Sequence, residues 1–191
     1  AFRVLGDRLE AIDAAHGTGG NRVYYLSTPA SFFPVIVQAM GATRLNRPPG
    51  FARVVIEKPF GHDLESAREL ADVVHRSFRE NQIYRIDHYL GKETVQNIFA
   101  FRFANAIFEP VWNNTHVDHV QITVGESIGV EHRAAFYEET GVVRDIVQNH
   151  LLQVLALVAM EPPAAFEADA VRDEKTKVLR ATRPLSFENT V

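Results

Sequence analysis

The chain has no cysteine among its 191 residues. A disulfide framework, a thiolate nucleophile and a zinc site built on thiolates are therefore excluded, and a reducing compartment, for which we expect the cytoplasm, is favoured. Neither sign of charge is in large excess, because 20 basic and 24 acidic side chains give a formal charge of −4. No basic run is present, so we expect neither a nucleic-acid partner nor a membrane-surface role. An anionic ligand would need a local basic pocket.

Long hydrophobic runs are lacking as well. The longest, residues 151–160, is interrupted by Gln153 and is far shorter than the roughly 20 residues of a membrane-spanning helix, so it predicts a buried helix and no membrane partner. Hydrophobic residues make up 46% of the chain, enough for one large domain or parts of two. The chain starts at Ala1 without a methionine or a signal-peptide pattern, and we expect it to begin within a longer protein.

Strand and helix patterns alternate through the first half of the chain. They predict a strand at 23–26, a helix to about residue 40, a continuous apolar strand at 52–57, a helix at 64–78 capped by Asp63, and a strand at 82–86. This β-α-β-α-β order is typical of a parallel sheet with right-handed crossovers, in which ligands bind beyond the carboxyl ends of the strands. The predicted class is α/β, with a partial Rossmann-like sheet.

The second half follows a different pattern. Helices are expected at 92–105, 141–160 and 169–182. Residues 118–126 alternate apolar and polar side chains, which predicts a strand with one wet face and hence the start of an α+β domain with an antiparallel sheet.

Lys58 stands between the end of the second predicted strand and Pro59. The proline stiffens the backbone at this position and is compatible with a cis peptide bond, so the lysine side chain would be aimed by a rigid turn. The plain alternative is a solvated lysine at a strand end.

Asp87, His88 and Lys92 follow the third predicted strand. His88 and Lys92 are four residues apart and would share one anion pocket, assisted by helix amides, if a helix begins near Gly91. Such a pocket suits a sugar phosphate. The alternative is that both side chains are simply solvated on a helix surface. A carboxylate at a buried strand end needs a partner, and an imidazole is a natural one, which points from Asp87 to His150.

Asp145 and His150 lie five residues apart on the predicted 141–160 helix, about 140° apart around an α-helical axis. They are therefore not expected to stack, and we expect Asp87 to orient His150 while Asp145 binds a substrate hydroxyl. His150 as a neutral core histidine remains the alternative. No HExxH, carboxylate-cluster or cysteine pattern supports a metal site. The glycines of Gly17-Thr18-Gly19-Gly20 lack the spacing of a dinucleotide-binding loop.

Three segments carry a family resemblance: Glu57-Lys58-Pro59-Phe60-Gly61, then Arg85-Ile86-Asp87-His88-Tyr89-Leu90-Gly91-Lys92-Glu93, then Arg144-Asp145 with Gln148-Asn149-His150-Leu151-Leu152-Gln153. Together with shorter matches such as Arg102-Phe103-Ala104-Asn105, they resemble the glucose-6-phosphate dehydrogenase family over most of the chain. The resemblance implies NADP-dependent oxidation of β-D-glucose 6-phosphate at C1 to the δ-lactone, the first step of the pentose phosphate pathway, by a dimeric or tetrameric enzyme.

The resemblance also implies a role for each matching position. His150 corresponds to the general base and Asp87 to the carboxylate that holds it. The other correspondences are His88, Tyr89 and Lys92 for the phosphate, Glu126 and Asp145 for sugar hydroxyls, Lys58 for both cofactor and substrate, and Pro29 and Phe33 for the cofactor-side loop. Residues 1–88 would be the C-terminal part of the NADP-binding domain, and 89–191 the first part of the substrate and dimerisation domain.

The family's glycine-rich loop and most of its C-terminal sheet have no counterpart here, so we expect a central fragment that alone binds NADP weakly and turns over little substrate. Two alternatives stay open. One is a sugar oxidoreductase of the inositol dehydrogenase or glucose–fructose oxidoreductase type, which shares Glu-Lys-Pro but needs no phosphate pocket. The other is a module that binds sugar phosphates or mediates oligomerisation without catalysis.

Overall fold

A computed structural model describes residues 1–125, 129 and 134–184. The chain divides into two compact units, Ala1–Asp87 and His88–Val191. Each is described separately below.

The first unit is built on three parallel strands, β1 (Arg22–Leu26), β2 (Ala52–Glu57) and β3 (Ile83–Ile86), in the order β1-β2-β3. Their register pairs Leu26 with Ile56 and Glu57 with Ile86, so the carboxyl ends of the strands form one edge. The predicted parallel α/β sheet is thereby confirmed.

Three α-helices accompany this sheet: α1 (Phe2–His16), α2 (Phe33–Ala42, preceded by a 3-10 turn at Ala30–Phe32) and α3 (Leu64–Ser77). The predicted cap of α3 is present, because the Asp63 carboxylate accepts a hydrogen bond of 2.8 Å from the backbone N–H of Ser66. The sequence patterns gave no indication of α1. No residue of α1 is buried, and Val4 is 69% exposed, so this helix lacks the buried stripe that periodicity detects.

The core of the first unit lies between β2 and the helices. Val54 and Ile56 of β2 meet Phe33, Val37 and Met40 of α2, and each of these side chains is at most 2% exposed. The alternating burial along β2 is that of a central strand whose one face is closed by helices. This packing holds the strand ends in place.

The second unit is helical in its described residues. It contains a 3-10 turn (His88–Gly91), α4 (Glu93–Phe103), a 3-10 turn (Glu109–Val111), α5 (Ala134–Val142), a π-helix (Val143–Leu151), α6 (Leu152–Ala159) and α7 (Ala168–Ala181). The core joins Val95 of α4 to Leu157 of α6 and to Met160. The predicted helices near 92–105 and 169–182 are confirmed with boundary shifts of one or two residues.

The long helix predicted at 141–160 is present as the helical stretch Thr140–Ala159, but it is not a regular α-helix. Gly141 has non-helical dihedral angles (φ 69°, ψ 166°), and the following nine residues form a π-helix before α6 begins. A π-helix bonds residue i to i+5 instead of i+4, a difference that a hydrophobic pattern does not encode.

The prediction of a strand at 118–126 is also wrong for residues 118–125, which form no strand; Glu126 lies outside the described residues. An alternating pattern indicates a strand only when a neighbour supplies ladder hydrogen bonds, and within the described part of the chain none pairs with this segment.

The helical stretch Thr140–Ala159 is long and apolar enough to cross a membrane by length and composition alone. This stretch of 20 residues is longer than the hydrophobic run at residues 151–160 that was used to exclude a membrane span. One such helix is weak evidence for a membrane span, because core helices of other proteins meet the same criteria. Here the stretch carries the buried polar side chains of Asp145 and His150.

Candidate active site

Two aromatic side chains, Tyr89 and His150, form the centre of the candidate site in the second unit. Their rings stack with centroids 3.9 Å apart and planes inclined by 15°. Both are buried, with Tyr89 5% and His150 1% exposed. The His88 ring meets the edges of both, at 5.0 Å from Tyr89 and 4.8 Å from His150. A buried imidazole is therefore backed by a phenol ring and joined to an exposed imidazole.

Lys92 adds a cation to this group. Its Nζ atom lies 3.6 Å from the centroid of the Tyr89 ring, within the range of a cation–π contact. Local structure sets this position, because the 3-10 turn His88–Gly91 is followed by Lys92 as the N-cap residue of α4, whose backbone N–H donates to the Tyr89 carbonyl at 3.1 Å. His88 and Lys92 are both exposed, so the surface beside the buried ring pair offers two groups able to carry positive charge.

The π-helix decides how Asp145 and His150 are placed. Residues five apart follow one another on the same face of a π-helix, whereas in an α-helix they would be about 140° apart. Asp145 is 4% and His150 1% exposed, so both point inward. The angle of about 140° expected from the sequence assumed an α-helix, so it does not apply to this segment. That Asp87 orients His150 while Asp145 binds a substrate hydroxyl stays a prediction. π-Turns within helices are frequent at functional sites.

Asp87 is the last residue of the first unit and is bonded directly to His88 through the backbone. Its side chain is half-buried. The pairing of Asp87 with His150 stays a prediction.

The carboxyl edge of the sheet in the first unit holds Lys58, which follows β2 directly. The Lys58–Pro59 peptide bond is cis, as the Glu-Lys-Pro motif allowed. Just before it, Glu57 accepts a hydrogen bond from the Tyr25 hydroxyl on the neighbouring strand. This pair was not predicted from the sequence, although the proximity of two strand ends in a parallel sheet is a signal for it.

Pro29 and Phe33, predicted for the cofactor-side loop, differ in placement. Pro29 is exposed at the start of the 3-10 turn that follows β1. Phe33 is 1% exposed and belongs to the core, whereas the adjacent Phe32 is 54% exposed. Phe32 is therefore the exposed one of these two neighbouring phenylalanines. A role of Phe33 towards the cofactor stays a prediction.

The glycines at 17–20 lie at the opposite end of the sheet. They form the turn before β1, and a Cβ on Gly20 (φ 76°) would come within 3.0 Å of the backbone nitrogen of Gly50, shortly before β2. This turn therefore serves close packing at the amino ends of the strands and does not occupy the position of a phosphate-binding loop.

Arg102 is a buried residue whose role the sequence reading did not foresee. It is 2% exposed, and its guanidinium donates to the carbonyls of Leu157 and Val158 at 3.0 and 2.9 Å and to the Glu109 carboxylate at 3.1 Å. Burial lowers the pKa of Arg102, and Glu109 opposes that shift. Arg102 thus holds the end of α6, the helix that continues from the π-helix bearing His150.

The first unit has the Rossmann-like α/β fold of dinucleotide-binding domains, and the second carries the buried His150 beside the exposed His88 and Lys92. Comparison with known families agrees. The model of the glucose-6-phosphate dehydrogenase NAD binding domain matches residues 1–97, and that of the glucose-6-phosphate dehydrogenase C-terminal domain matches residues 99–191. The chain belongs to the glucose-6-phosphate dehydrogenase family.

Similar proteins include glucose-6-phosphate 1-dehydrogenase 2 of Mycobacterium tuberculosis (strain ATCC 25618 / H37Rv), 56% identical over 96% of this chain and 36% of the relative. Glucose-6-phosphate 1-dehydrogenase of Aggregatibacter actinomycetemcomitans is 52% identical over 98% of this chain and 38% of its own length. A solved glucose-6-phosphate dehydrogenase in complex with its substrate glucose-6-phosphate has a TM-score of 0.90 at 40% identity, covering 98% of this chain and 39% of that one. The chain thus spans less than two fifths of these relatives.

Proposed function

We propose that this chain is the central part of an NADP-dependent enzyme that oxidises β-D-glucose 6-phosphate at C1 to 6-phospho-D-glucono-1,5-lactone. The observation that carries the proposal is the buried His150 ring stacked on Tyr89, with the exposed side chains of His88 and Lys92 next to them. This arrangement offers a proton acceptor beside a site for a phosphoryl group. The family membership of both halves of the chain supports the same reaction.

The phosphate would bind at the exposed side of the cluster. Lys92 and His88 supply positive charge and N–H donors, and the Tyr89 hydroxyl supplies a further donor. Asp145 would accept a hydrogen bond from a sugar hydroxyl, because it is buried on the same π-helix as His150. Glu126 keeps the same proposed role, although it lies outside the described residues.

His150 would act as the general base. A ring nitrogen takes the proton of the C1 hydroxyl while the C1–H bond breaks and its hydrogen leaves as hydride, so the substrate loses two electrons and becomes the lactone. Bound NADP supplies the acceptor for that hydride. Asp87 would hold the imidazole in orientation and stabilise its protonated form. The burial of His150 keeps water from competing for the site.

The cofactor would lie at the carboxyl edge of the parallel sheet, where the exposed Pro29 and Phe32 follow β1 and Lys58 follows β2. Lys58 is the residue that would serve both cofactor and substrate. Its neighbour Glu57 is fixed by the Tyr25 hydroxyl, which stiffens this strand end. These residues fit one end of a dinucleotide. The glycine turn at 17–20, at the other end of the strands, would take no part.

The first step of the pentose phosphate pathway, a cytoplasmic location and a homo-oligomeric assembly are parts of this proposal. They follow from the reaction and the family. The absence of cysteine is consistent with a reducing compartment.

The decisive experiment replaces His150 by Asn in an enzyme that contains this chain. Loss of the base should lower kcat by about 10²–10⁴-fold with a small change in KM for glucose 6-phosphate, because the base acts in the transition state. His119→Asn is the matched control, since His119 is a surface histidine of the same unit, and it should leave kcat unchanged. An equal, small effect of both changes would rule out His150 as the base.

A second change separates this reaction from that of enzymes acting on unphosphorylated sugars. Lys92→Ala should raise KM for glucose 6-phosphate and leave the slow oxidation of free glucose unaffected, because only the phosphate contact is lost. Preference of the unaltered enzyme for free sugar would support an inositol dehydrogenase type of activity. Binding of glucose 6-phosphate without any turnover would support the non-catalytic module.

A further inference from the structure

A cavity of about 720 Å³ lies in the first unit. Its walls are the segments 46–53 and 75–82, which precede β2 and β3. It therefore opens at the amino ends of these strands, whereas Lys58 lies beyond the carboxyl end of β2. Its size is within the range of cavities that hold small ligands. Nothing in the proposed reaction uses this end of the sheet.

The lining of this cavity is strongly basic. Arg47, Arg53, Arg76 and Arg79 line it, and no acidic residue is among its lining residues. His75 also lines it, but its ring is engaged with the Glu80 carboxylate at 2.7 Å. The four arginines are exposed, and in the part of the chain that the structure describes none of them forms an ion pair with a carboxylate. Such a concentration contrasts with the formal charge of −4 of the whole chain. A local field of positive sign results, which attracts anions.

The floor of the cavity is a hydrogen-bonded framework. The Asn46 side chain, 4% exposed, donates to the carbonyl of Ser77, which joins the two walls. Gln82 donates from Nε2 to the carbonyls of Asn46 and Ala52 at 3.2 and 3.0 Å, and its Oε1 accepts from the Arg79 backbone N–H at 3.0 Å. These contacts tie the arginine-bearing loops together. The arginine side chains are therefore attached to backbone segments that hydrogen bonds hold together.

Aromatic side chains position one of the four arginines. The Arg53 guanidinium lies 4.5 Å from the centroid of the Phe51 ring and 5.6 Å from that of Tyr84, so aromatic faces hold it in place.

We propose that this cavity binds a small molecule that carries two or more adjoining phosphoryl groups. Guanidinium groups form paired hydrogen bonds with phosphate oxygens, and four of them around one cavity match a polyanion better than a single charge. The concave shape selects a compact ligand. The site is distinct from the phosphate-binding cluster at His88 and Lys92, which belongs to the second unit.

Isothermal titration calorimetry with inorganic tripolyphosphate tests the proposal on the full 191-residue chain. All titrations use a Lys92→Ala background, which weakens the other proposed phosphate site by removing its lysine. The double change Arg76→Gln/Arg79→Gln should weaken binding by about tenfold or more. Arg3→Gln/Arg68→Gln removes the same charge from exposed helix positions outside the cavity and should change binding by less than about twofold. Equal affinities of the two double variants, or no binding by the background chain, would overturn the proposal.

Hydrogen exchange measured by mass spectrometry gives a result that needs no substitution in the cavity. Tripolyphosphate should slow amide exchange in the segments 46–53 and 75–82 of the unaltered chain, because the ligand would bridge the two walls. Protection confined to residues 88–92 would show that the anion binds only at the other cluster and would refute the assignment.

Discussion

Replacement of Arg102 by Met removes a buried charge from the second unit and keeps much of the side-chain volume. In the structure Arg102 is 2% exposed and donates to two carbonyls at the end of α6 and to the Glu109 carboxylate. The same Val158 carbonyl also accepts a hydrogen bond of 2.7 Å from the Trp112 indole. One side chain therefore links α4, the 3-10 turn at Glu109–Val111 and the last turn of α6.

The magnitude follows from these contacts. Breaking a buried ion pair by removing one partner costs about 3–5 kcal/mol. Glu109 is 26% exposed, so water partly replaces its lost partner, and the Val158 carbonyl keeps its bond to Trp112. Met also recovers some apolar packing in place of the arginine stem. We therefore expect the free energy of unfolding of the second unit to fall by about 2–3 kcal/mol.

Urea denaturation followed by tryptophan fluorescence measures this change. Trp112 is the single tryptophan of the chain, and its ring lies 5.3 Å from the Arg102 guanidinium carbon, so its emission reports on the second unit alone. Arg172→Met is the control, because Arg172 is 61% exposed and pairs with Asp169 on the surface of α7. The control should change the unfolding free energy by less than about 0.5 kcal/mol.

The reasoning fails if Arg102→Met lowers the unfolding free energy by less than about 1 kcal/mol or matches the Arg172 control. Either result would mean that the guanidinium gains no more from its buried partners than from water. A larger loss, above about 5 kcal/mol, would show that Arg102 is required for the fold of the whole unit.

Two further predictions concern the first unit. Arg85 and His75 hold the pKa of Glu80 down to about 2; with an unfolded value near 4.5, Glu80 stabilises the fold above that pH, and the contribution disappears as the pH falls towards 2. Glu80→Gln should therefore make the unfolding free energy depend less on pH between pH 2 and 6, as measured by circular dichroism melts. Because Glu80 is 59% exposed, the difference should stay below about 1 kcal/mol. The same pH dependence in both proteins would contradict this prediction. Phe33→Ala should lower the unfolding free energy by about 3–5 kcal/mol and Phe32→Ala by less than about 1, whereas similar losses would show that Phe33 is not a core residue.

Local patterns were sufficient for much of the first unit. The continuous apolar run of β2 has the same bounds in the structure as in the sequence, and Asp63 marks the start of α3 because a capping hydrogen bond spans only three residues. The neighbourhood of His88, Tyr89 and Lys92 also follows from short spacing, since one 3-10 turn brings them together. Motifs read from the sequence named the family that the comparisons confirm.

Tertiary packing decided the remainder. The π-helix at Val143–Leu151 placed Asp145 and His150 on one face, and the shift from i+4 to i+5 bonding leaves no mark in the hydrophobic pattern. The alternating residues 118–125 formed no strand because strand formation depends on a partner distant in sequence. Nothing in the local pattern marks Arg102 as buried, because the carbonyls of α6 that accept its hydrogen bonds lie more than 50 residues away. Interactions within one turn can be read along the chain, whereas the burial of a charge depends on which distant groups fold against it.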